Sequence, residues 1–328
     1  MLLLAREDIK KFFTLKDSIE AVKQAFSLFS DNKVQVPLRT HINAEKKEGV
    51  YLCMPAYCEE VDASCVKVLN MFKNNIAKGI PSINAQVLML NTDTGVIEGL
   101  IDGTYITQLR TGAASGAAFE LLAKKDCKKG ALIGTGGQAA TQLEAMIVAR
   151  KLDEVQLCDM DFERAKKFAA TMSAELAAYG TKITAVENAD IAVEDADLII
   201  TVTPSTKPVF NADKVKAGAT LSCVGSYQPQ MQEMDPKILV RATKLYFDSE
   251  EAVLSEAGDI LIPLADGTIT KEKFTGDLGE VINGRLVGRE NDEEIIVFKT
   301  VGIAAQDLIT AKAIFEKAKK AGAGYNWA

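Results

Sequence analysis

One histidine, His41, stands in a chain of 328 residues. With a single imidazole, a histidine-rich zinc centre or a serine–histidine–aspartate triad drops out, and no metal site is expected. Long apolar runs are missing as well. None reaches the roughly 18–20 residues that a helix needs to cross a bilayer. The opening MLLLAREDIKKFF meets acidic residues too soon to read as a secretory leader. A basic excess is absent: 38 Lys and Arg stand against 45 Asp and Glu, a net charge of −7. That balance argues against a surface built to hold nucleic acid. The six cysteines include no CxxC pair, and those in VQLCD and TLSCV read as buried thiols. A cytoplasmic protein is expected. No fixed-period repeat or low-complexity segment interrupts the chain. What is present is 48% apolar and 25% charged, the balance of a soluble globular protein. The length suffices for one large or two ordinary domains.

Two regimes follow one another. The first thirty residues read as helix, with Asp17-Ser18 as cap and Ile19, Val22, Phe26 and Phe29 on one face. Short strands come next: VPLRTHI, GVYLCMPAYC, SCVKVLNMF, and two apolar arms joined by the hairpin turn NTDTG. Helix and strands without crossover helices predict an antiparallel α+β layer. From about residue 107 the pattern changes. A small-residue-rich helical stretch over 107–125 leads into GALIGTG, QAATQLEAMIVARK, EVQLCDMD and FERAKKFAATMSAELAAYG. Further strands are ITAVE, DLIITVT, TLSCV and KLYFD. This strand–helix alternation predicts a Rossmann-type, doubly wound parallel sheet. The tail IIVFKTVGIAAQDLITAKAIFEKAKKAG reads as one long amphipathic helix returning to the first domain. The expected division is 1–118, completed by about 305–328, and 119–304.

Gly134-Thr135-Gly136-Gly137-Gln138-Ala139 follows the strand Ala131-Leu132-Ile133 directly and opens a helix. In such a GxGxxA turn Gly134 allows the tight bend. Gly136 lets a pyrophosphate approach the backbone, and Ala139 lets helix and strand pack closely. Asp159 closes the next strand, twenty-five residues after Gly134. A carboxylate there can take both ribose hydroxyls of NAD and repels the 2′-phosphate of NADP. Met160, not an arginine, comes next, so NAD is favoured over NADP. The turn lacks the GKS or GKT ending of a P-loop, which disfavours triphosphate hydrolysis.

MPAY, VKVLN, DGTYITQLRTGAASGAA, GTGGQA, VGSYQPQMQEMD, the GDI run and GRLVGR…VFKTVGIAAQD occur in the order found in one family. The chain resembles the ornithine cyclodeaminases and μ-crystallins along nearly its whole length. The resemblance implies a dimer that binds a nicotinamide cofactor, with the first domain forming the interface and the substrate floor. It assigns Arg39, Lys67 and Arg110 to a substrate carboxylate, a task suited to a guanidinium fork and a second cation. On the residues alone, Arg39 and Lys67 serve equally well as surface salt-bridge partners. Arg110 differs, because it sits in the otherwise uncharged run TQLRTGAASGAA, where an unpaired charge is costly. Lys67 is the candidate catalytic residue. Thr111 matches a contact to the cofactor phosphates, and Thr300 and Val301 match the segment beside the nicotinamide amide. Thr203 ends a strand facing the cofactor; Gln138 and Tyr227 complete the cofactor-side set.

Two departures bear on the reaction. Ornithine cyclodeaminases carry a glutamate where this chain has Leu52, and an acid/base aspartate where it has Tyr227; a following lysine is replaced by Met231. An apolar residue at 52 would leave a distal amine unpaired. The expected activity is therefore NAD(H)-dependent reduction of a small carboxylate-bearing imine, such as pyrroline- or piperideine-2-carboxylate, or of its 2-oxo acid equivalent. Alanine dehydrogenase, ornithine cyclodeaminase and a non-catalytic binder of NAD(H) are the alternatives.

Overall fold

The computed structural model describes residues 1–37 and 40–327, and only the backbone of Lys73 and Ile76. Two compact units divide the chain: Met1–Arg110 with Ile303–Ala328, and Thr111–Gly302. The first unit opens with β1 (Leu2–Leu4), α1 (Arg6–Ile9) and α2 (Leu15–Ser30). Strands β2 (Val34–Gln35), β3 (Thr40–Ala44), β4 (Gly49–Cys58), β5 (Ala63–Phe72), β6 (Ile83–Leu90) and β7 (Ile97–Asp102) follow. Helix α3 (Gly103–Leu122) carries the chain into the second unit.

That unit runs through β8 (Lys129–Ile133), α4 (Ala139–Ala149), β9 (Glu154–Cys158), α5 (Phe162–Glu175), β10 (Lys182–Ala185), α6 (Ala189–Val193) and β11 (Leu198–Thr201). It continues through β12 (Thr220–Cys223), α7 (Pro236–Arg241), β13 (Lys244–Phe247), α8 (Glu250–Glu256), α9 (Gly258–Ala265), β14 (Gly276–Asp277), α10 (Leu278–Ile282) and β15 (Ile296–Lys299). The chain then returns to the first unit as α11 (Ala304–Ala321) and β16 (Tyr325–Asn326).

In the first unit the strand order is β16-β1-β7-β6-β5-β4-β2, with β3 also on β4. Among the described residues, every pairing is antiparallel except β1 with β7. Burial alternates along β5, where Ala63, Cys65, Lys67 and Leu69 face inward. α11 lies against β4, β5 and β6 and packs on α2. The expected helix over the first thirty residues needs correction at two places. Leu2–Leu4 is a strand, and the cap of α2 is Thr14. Its hydroxyl accepts the Asp17 N–H at 3.2 Å while the Asp17 carboxylate accepts the Thr14 N–H at 2.8 Å. Asp17 is thus the third helical residue of a capping box, not the cap. The NTDTG turn forms as expected: the Asn91 side chain accepts the N–H groups of Asp93 and Thr94 between β6 and β7.

The second unit is built on a wholly parallel sheet, order β10-β9-β8-β11-β12-β15-β13-β14. Leu198 and Ile200 of β11 enter one apolar cluster and Ile199 the other, so the strand is buried on both faces. That explains its continuous apolar run. The doubly wound class expected from the sequence holds. The single long helix expected for the tail does not. Ile296–Lys299 is a fully buried strand between β12 and β13, and Gly302, at φ 82°, breaks the chain before α11 begins. No helix among the described residues is long and apolar enough to cross a membrane.

Candidate functional site

Strand order in the parallel sheet reverses at β8: the chain moves outward to β9 and β10, then crosses back to β11 and β12. Ligands of open α/β sheets bind beyond the carboxyl ends of the strands at such a switch point. The carboxyl ends of β9, β8, β11, β12 and β15 lie in that order and lead, respectively, to Asp159, Gly134, Thr203, Tyr227 and Thr300. Four strand spacings cover about 19 Å, a ledge along which a dinucleotide can lie.

At β8 the turn is shaped as the glycines require. Gly134 has φ +102°, and a Cβ on it would sit 2.8 Å from the Val202 carbonyl oxygen and 2.9 Å from Thr203 Cγ2. A Cβ on Gly136 or Gly137 would meet nothing within 4 Å. The backbone there borders open space, which suits approach by a pyrophosphate at the start of α4. Gln138 is the residue before α4, and its Oε1 is buried without a hydrogen-bond partner. Ala139 is fully buried. Thr111 sits beside the same helix: its carbonyl accepts Gln142 Nε2 at 3.0 Å, and neighbouring Gly112 leaves no room for a Cβ against Thr141. These features fit a nicotinamide dinucleotide.

Asp159 takes the Thr135 N–H at 2.9 Å and the Thr135 hydroxyl at 2.7 Å on one oxygen. The other takes the Asp161 N–H at 3.0 Å and Arg164 Nη2. Burial works to raise its pKa, but these donors outweigh it and hold the carboxyl below the usual carboxylate range. Arg164 lies five residues beyond Asp159, past the Met160 that follows it in sequence. Only the helix that begins at Phe162 brings it back.

Two more carboxylates pin the ledge, and sequence reading missed both. Glu233 is wholly buried and accepts the N–H groups of Thr203 at 2.5 Å and Gly225 at 2.6 Å, and the Thr201 hydroxyl at 3.2 Å. It thereby ties the ends of β11 and β12 together. Burial, with the Asp259 carboxylate beside it, pushes its pKa up to about 7, against Lys299 and the Thr203 donor. Asp259 in turn accepts the N–H groups of Glu233 and Met234 and lies 3.4 Å from Lys299 Nζ. Asp248 accepts the Thr300 hydroxyl at 2.5 Å and the N–H groups of Val301 and Gly302 at 3.0 and 2.6 Å. Burial raises its pKa despite these donors. Thr300 and Val301 are therefore held from behind, with the Thr300 hydroxyl committed to Asp248. Tyr227 is 41% exposed on the loop after β12.

The expected substrate cations fall in the first unit. Lys67, on the inward face of β5, is 1% exposed, and its Nζ stands 2.5 Å from Asp307 Oδ2 on α11. Arg110, on α3, places Nε 3.4 Å from the other oxygen of the same carboxylate. Gln306 Nε2 holds the Arg110 carbonyl at 3.3 Å. Asp307 is the acidic residue that sequence reading left without a role. The signal was present: a lone acid in the apolar run IAAQDLI, opposite a lysine in a strand. Arg39 lies outside the described residues. Leu52, on the same inward face, is buried in an apolar cluster with Leu69 and Ala85. Among the described residues no cluster of three or more histidine, cysteine or acidic side chains is placed to hold a metal.

A parallel sheet with a glycine turn at its switch point, in one chain with a unit that buries two cations against one carboxylate, is the architecture of a dinucleotide-dependent oxidoreductase. Residues 1–322 match the model of the ornithine cyclodeaminase/mu-crystallin family. A Δ(1)-pyrroline-2-carboxylate reductase of Bacillus cereus is 34% identical over 324 residues, covering 99% of this chain and 98% of that one. The alanine dehydrogenase of Archaeoglobus fulgidus is also 34% identical, over 98% of this chain and 97% of its own. The structure of Thermococcus litoralis Δ(1)-pyrroline-2-carboxylate reductase, in complex with NADH and L-proline, superimposes with a TM-score of 0.94 at 41% identity, covering 100% of both chains. The chain belongs to the ornithine cyclodeaminase/mu-crystallin family, and it is an enzyme.

Proposed function

We propose that the enzyme reduces the C=N bond of a small cyclic imine bearing a carboxylate, Δ1-pyrroline-2-carboxylate or its six-membered counterpart, with NADH. The observation that carries this reading is the buried group Lys67–Asp307–Arg110. Two cations share one carboxylate at 2.5 and 3.4 Å, so the trio as a whole is positive. Positive charge gathered away from water favours a hydrogen-bonded anion, and a substrate carboxylate is an anion of the right kind. The likeness to reductases of pyrroline-2-carboxylate supports the same substrate class.

In this reading Arg110 and Lys67 grip the substrate carboxylate and thereby fix the adjacent imine carbon. Asp307 sets both cations in place and keeps their side chains from collapsing elsewhere. The imine nitrogen takes its proton from solvent or from Lys67, whose ammonium stands 2.5 Å from the Asp307 carboxylate. Nicotinamide, when bound, supplies the hydride to the imine carbon. The residues that would hold the dinucleotide are Gly134, Gly136, Gln138 and Ala139 at the pyrophosphate, Asp159 at the ribose, Thr111 at the phosphates, and Thr203, Tyr227, Thr300 and Val301 toward the nicotinamide.

The test is NADH consumption with preformed Δ1-pyrroline-2-carboxylate and no ammonia, with proline as product. Turnover that requires ammonia and a 2-oxo acid instead assigns alanine dehydrogenation. Ammonia release from ornithine overturns the weight placed on Leu52 and Tyr227.

The first unit also supports a homodimer. α11 covers the inward face of its sheet, while the opposite face carries Val66, Val68, Leu88 and Leu100 only partly covered. A second copy of the chain is the partner proposed for that face; a monomer in sedimentation at micromolar concentration contradicts it. All six cysteines are free thiols, in keeping with a cytoplasmic location.

A further inference from the structure

We propose that Arg164 is a cofactor-selectivity residue: it competes with the ribose of NAD(H) for Asp159 and serves as the cation for the 2′-phosphate of NADP(H). This rests on the placement of the adenosine ribose at Asp159 given above.

A carboxylate offers about four acceptor positions. On Asp159 all four are taken: the Thr135 N–H and hydroxyl on one oxygen, the Asp161 N–H and Arg164 Nη2 on the other. A ribose diol that donates to this carboxylate must therefore displace donors. The N–H groups of Thr135 and Asp161 belong to backbone that cannot withdraw cheaply. One is part of the glycine turn, and the other belongs to the N-cap of α5, whose own carboxylate accepts the Arg164 N–H at 3.0 Å. Thr135 is 8% exposed and confined. The Arg164 side chain is 57% exposed on a flexible stem, whereas that of Asp159 is 5% exposed. A pair with one partner in solvent is weak, so Arg164 is the donor that gives way.

Once displaced, the guanidinium keeps its charge at any working pH and stays tethered five residues from Asp159. It is then a forked donor beside the ribose 2′ position, where NADP differs from NAD. The other charged side chains of this turn are already engaged. Asp161 caps α5, and Glu163 pairs with Lys166 at 2.5 Å. Asp159 remains anionic and opposes a phosphate, so NADH stays the better ligand. Arg164 sets by how much.

Calorimetric titration of the intact enzyme, Arg164→Ala and Asp159→Ser with NADH, NADPH and 2′,5′-ADP tests this by binding alone. In Arg164→Ala, loss of the competitor should tighten NADH by about two- to fivefold. Loss of the cation should weaken NADPH and 2′,5′-ADP by roughly fivefold or more. Opposite shifts of the two cofactors support the proposal. Parallel shifts, or none, overturn it. Asp159→Ser separates the two layers of the argument. If it moves the NADH-to-NADPH ratio while Arg164→Ala does not, only the role of Arg164 falls. If Asp159→Ser leaves the ratio unchanged, the ribose placement falls and the proposal with it.

Discussion

The two units bury charge in opposite ways. In the first, a single carboxylate, Asp307, is shared by two cationic side chains, and the trio keeps a positive excess. In the second, Asp159, Glu233 and Asp248 spend their oxygens largely on backbone N–H groups of the loops that end β8, β11, β12 and β15. Buried carboxylates that hold backbone fix a shape; Asp307 instead holds two cationic side chains in place. The first arrangement suits a small anionic substrate. The second suits a long cofactor bound chiefly by backbone.

Removing one partner separates these roles. Asp307→Ala takes from Lys67, 1% exposed, the carboxylate that stands 2.5 Å from its ammonium. Breaking a buried pair from one side costs about 3–5 kcal/mol, and urea unfolding should register a loss of that size. A loss under about 1 kcal/mol would mean that the trio is solvated like a surface pair. Arg110→Met should depress kcat/KM by about ten- to hundredfold, the cost of a lost charge-assisted contact, with NADH affinity nearly intact. Equal losses in cofactor and substrate binding would place Arg110 on the cofactor phosphates instead.

A further effect concerns pH and belongs to the second unit. The Glu233 pKa is raised to about 7 from 4.5, so the folded state holds this proton more tightly than the unfolded chain. Its contribution to stability is full below about pH 4.5 and is lost as pH rises toward 7. Glu233→Gln should flatten that part of the pH–stability curve, read by denaturant midpoints at a series of pH values. An unchanged slope would remove Glu233 as its source.

The cofactor half of this picture was legible in the sequence because its signals are local. A glycine turn needs a few adjacent residues, and Asp159 ends a strand that can be read by eye. What escaped was set by tertiary contact. IIVFK reads as the start of the α11 helix because a strand buried on both faces has no period-two alternation to betray it. Asp307, Glu233 and Asp248 gain their roles from partners 240, 30 and 52 residues away. The cations proposed for the substrate carboxylate were named through family resemblance, and Asp307, which Lys67 and Arg110 share, was not. Thr14 escaped as a cap because Asp17-Ser18 offers the same chemistry three residues later.

If the first unit recognises a carboxylate attached to the imine carbon, as proposed, removing that carboxylate from the ring must slow the reaction. The most direct measurement compares Δ1-pyrroline-2-carboxylate with the same ring lacking its carboxylate, 1-pyrroline, as substrates for NADH oxidation by the unmodified enzyme and by Arg110→Met. The unmodified enzyme should prefer the carboxylate-bearing ring by about a hundredfold or more in kcat/KM, from two charge-assisted contacts. Arg110→Met should narrow this preference by slowing the carboxylate-bearing ring alone. Equal rates for the two rings, or equal slowing of both by Arg110→Met, would contradict that recognition.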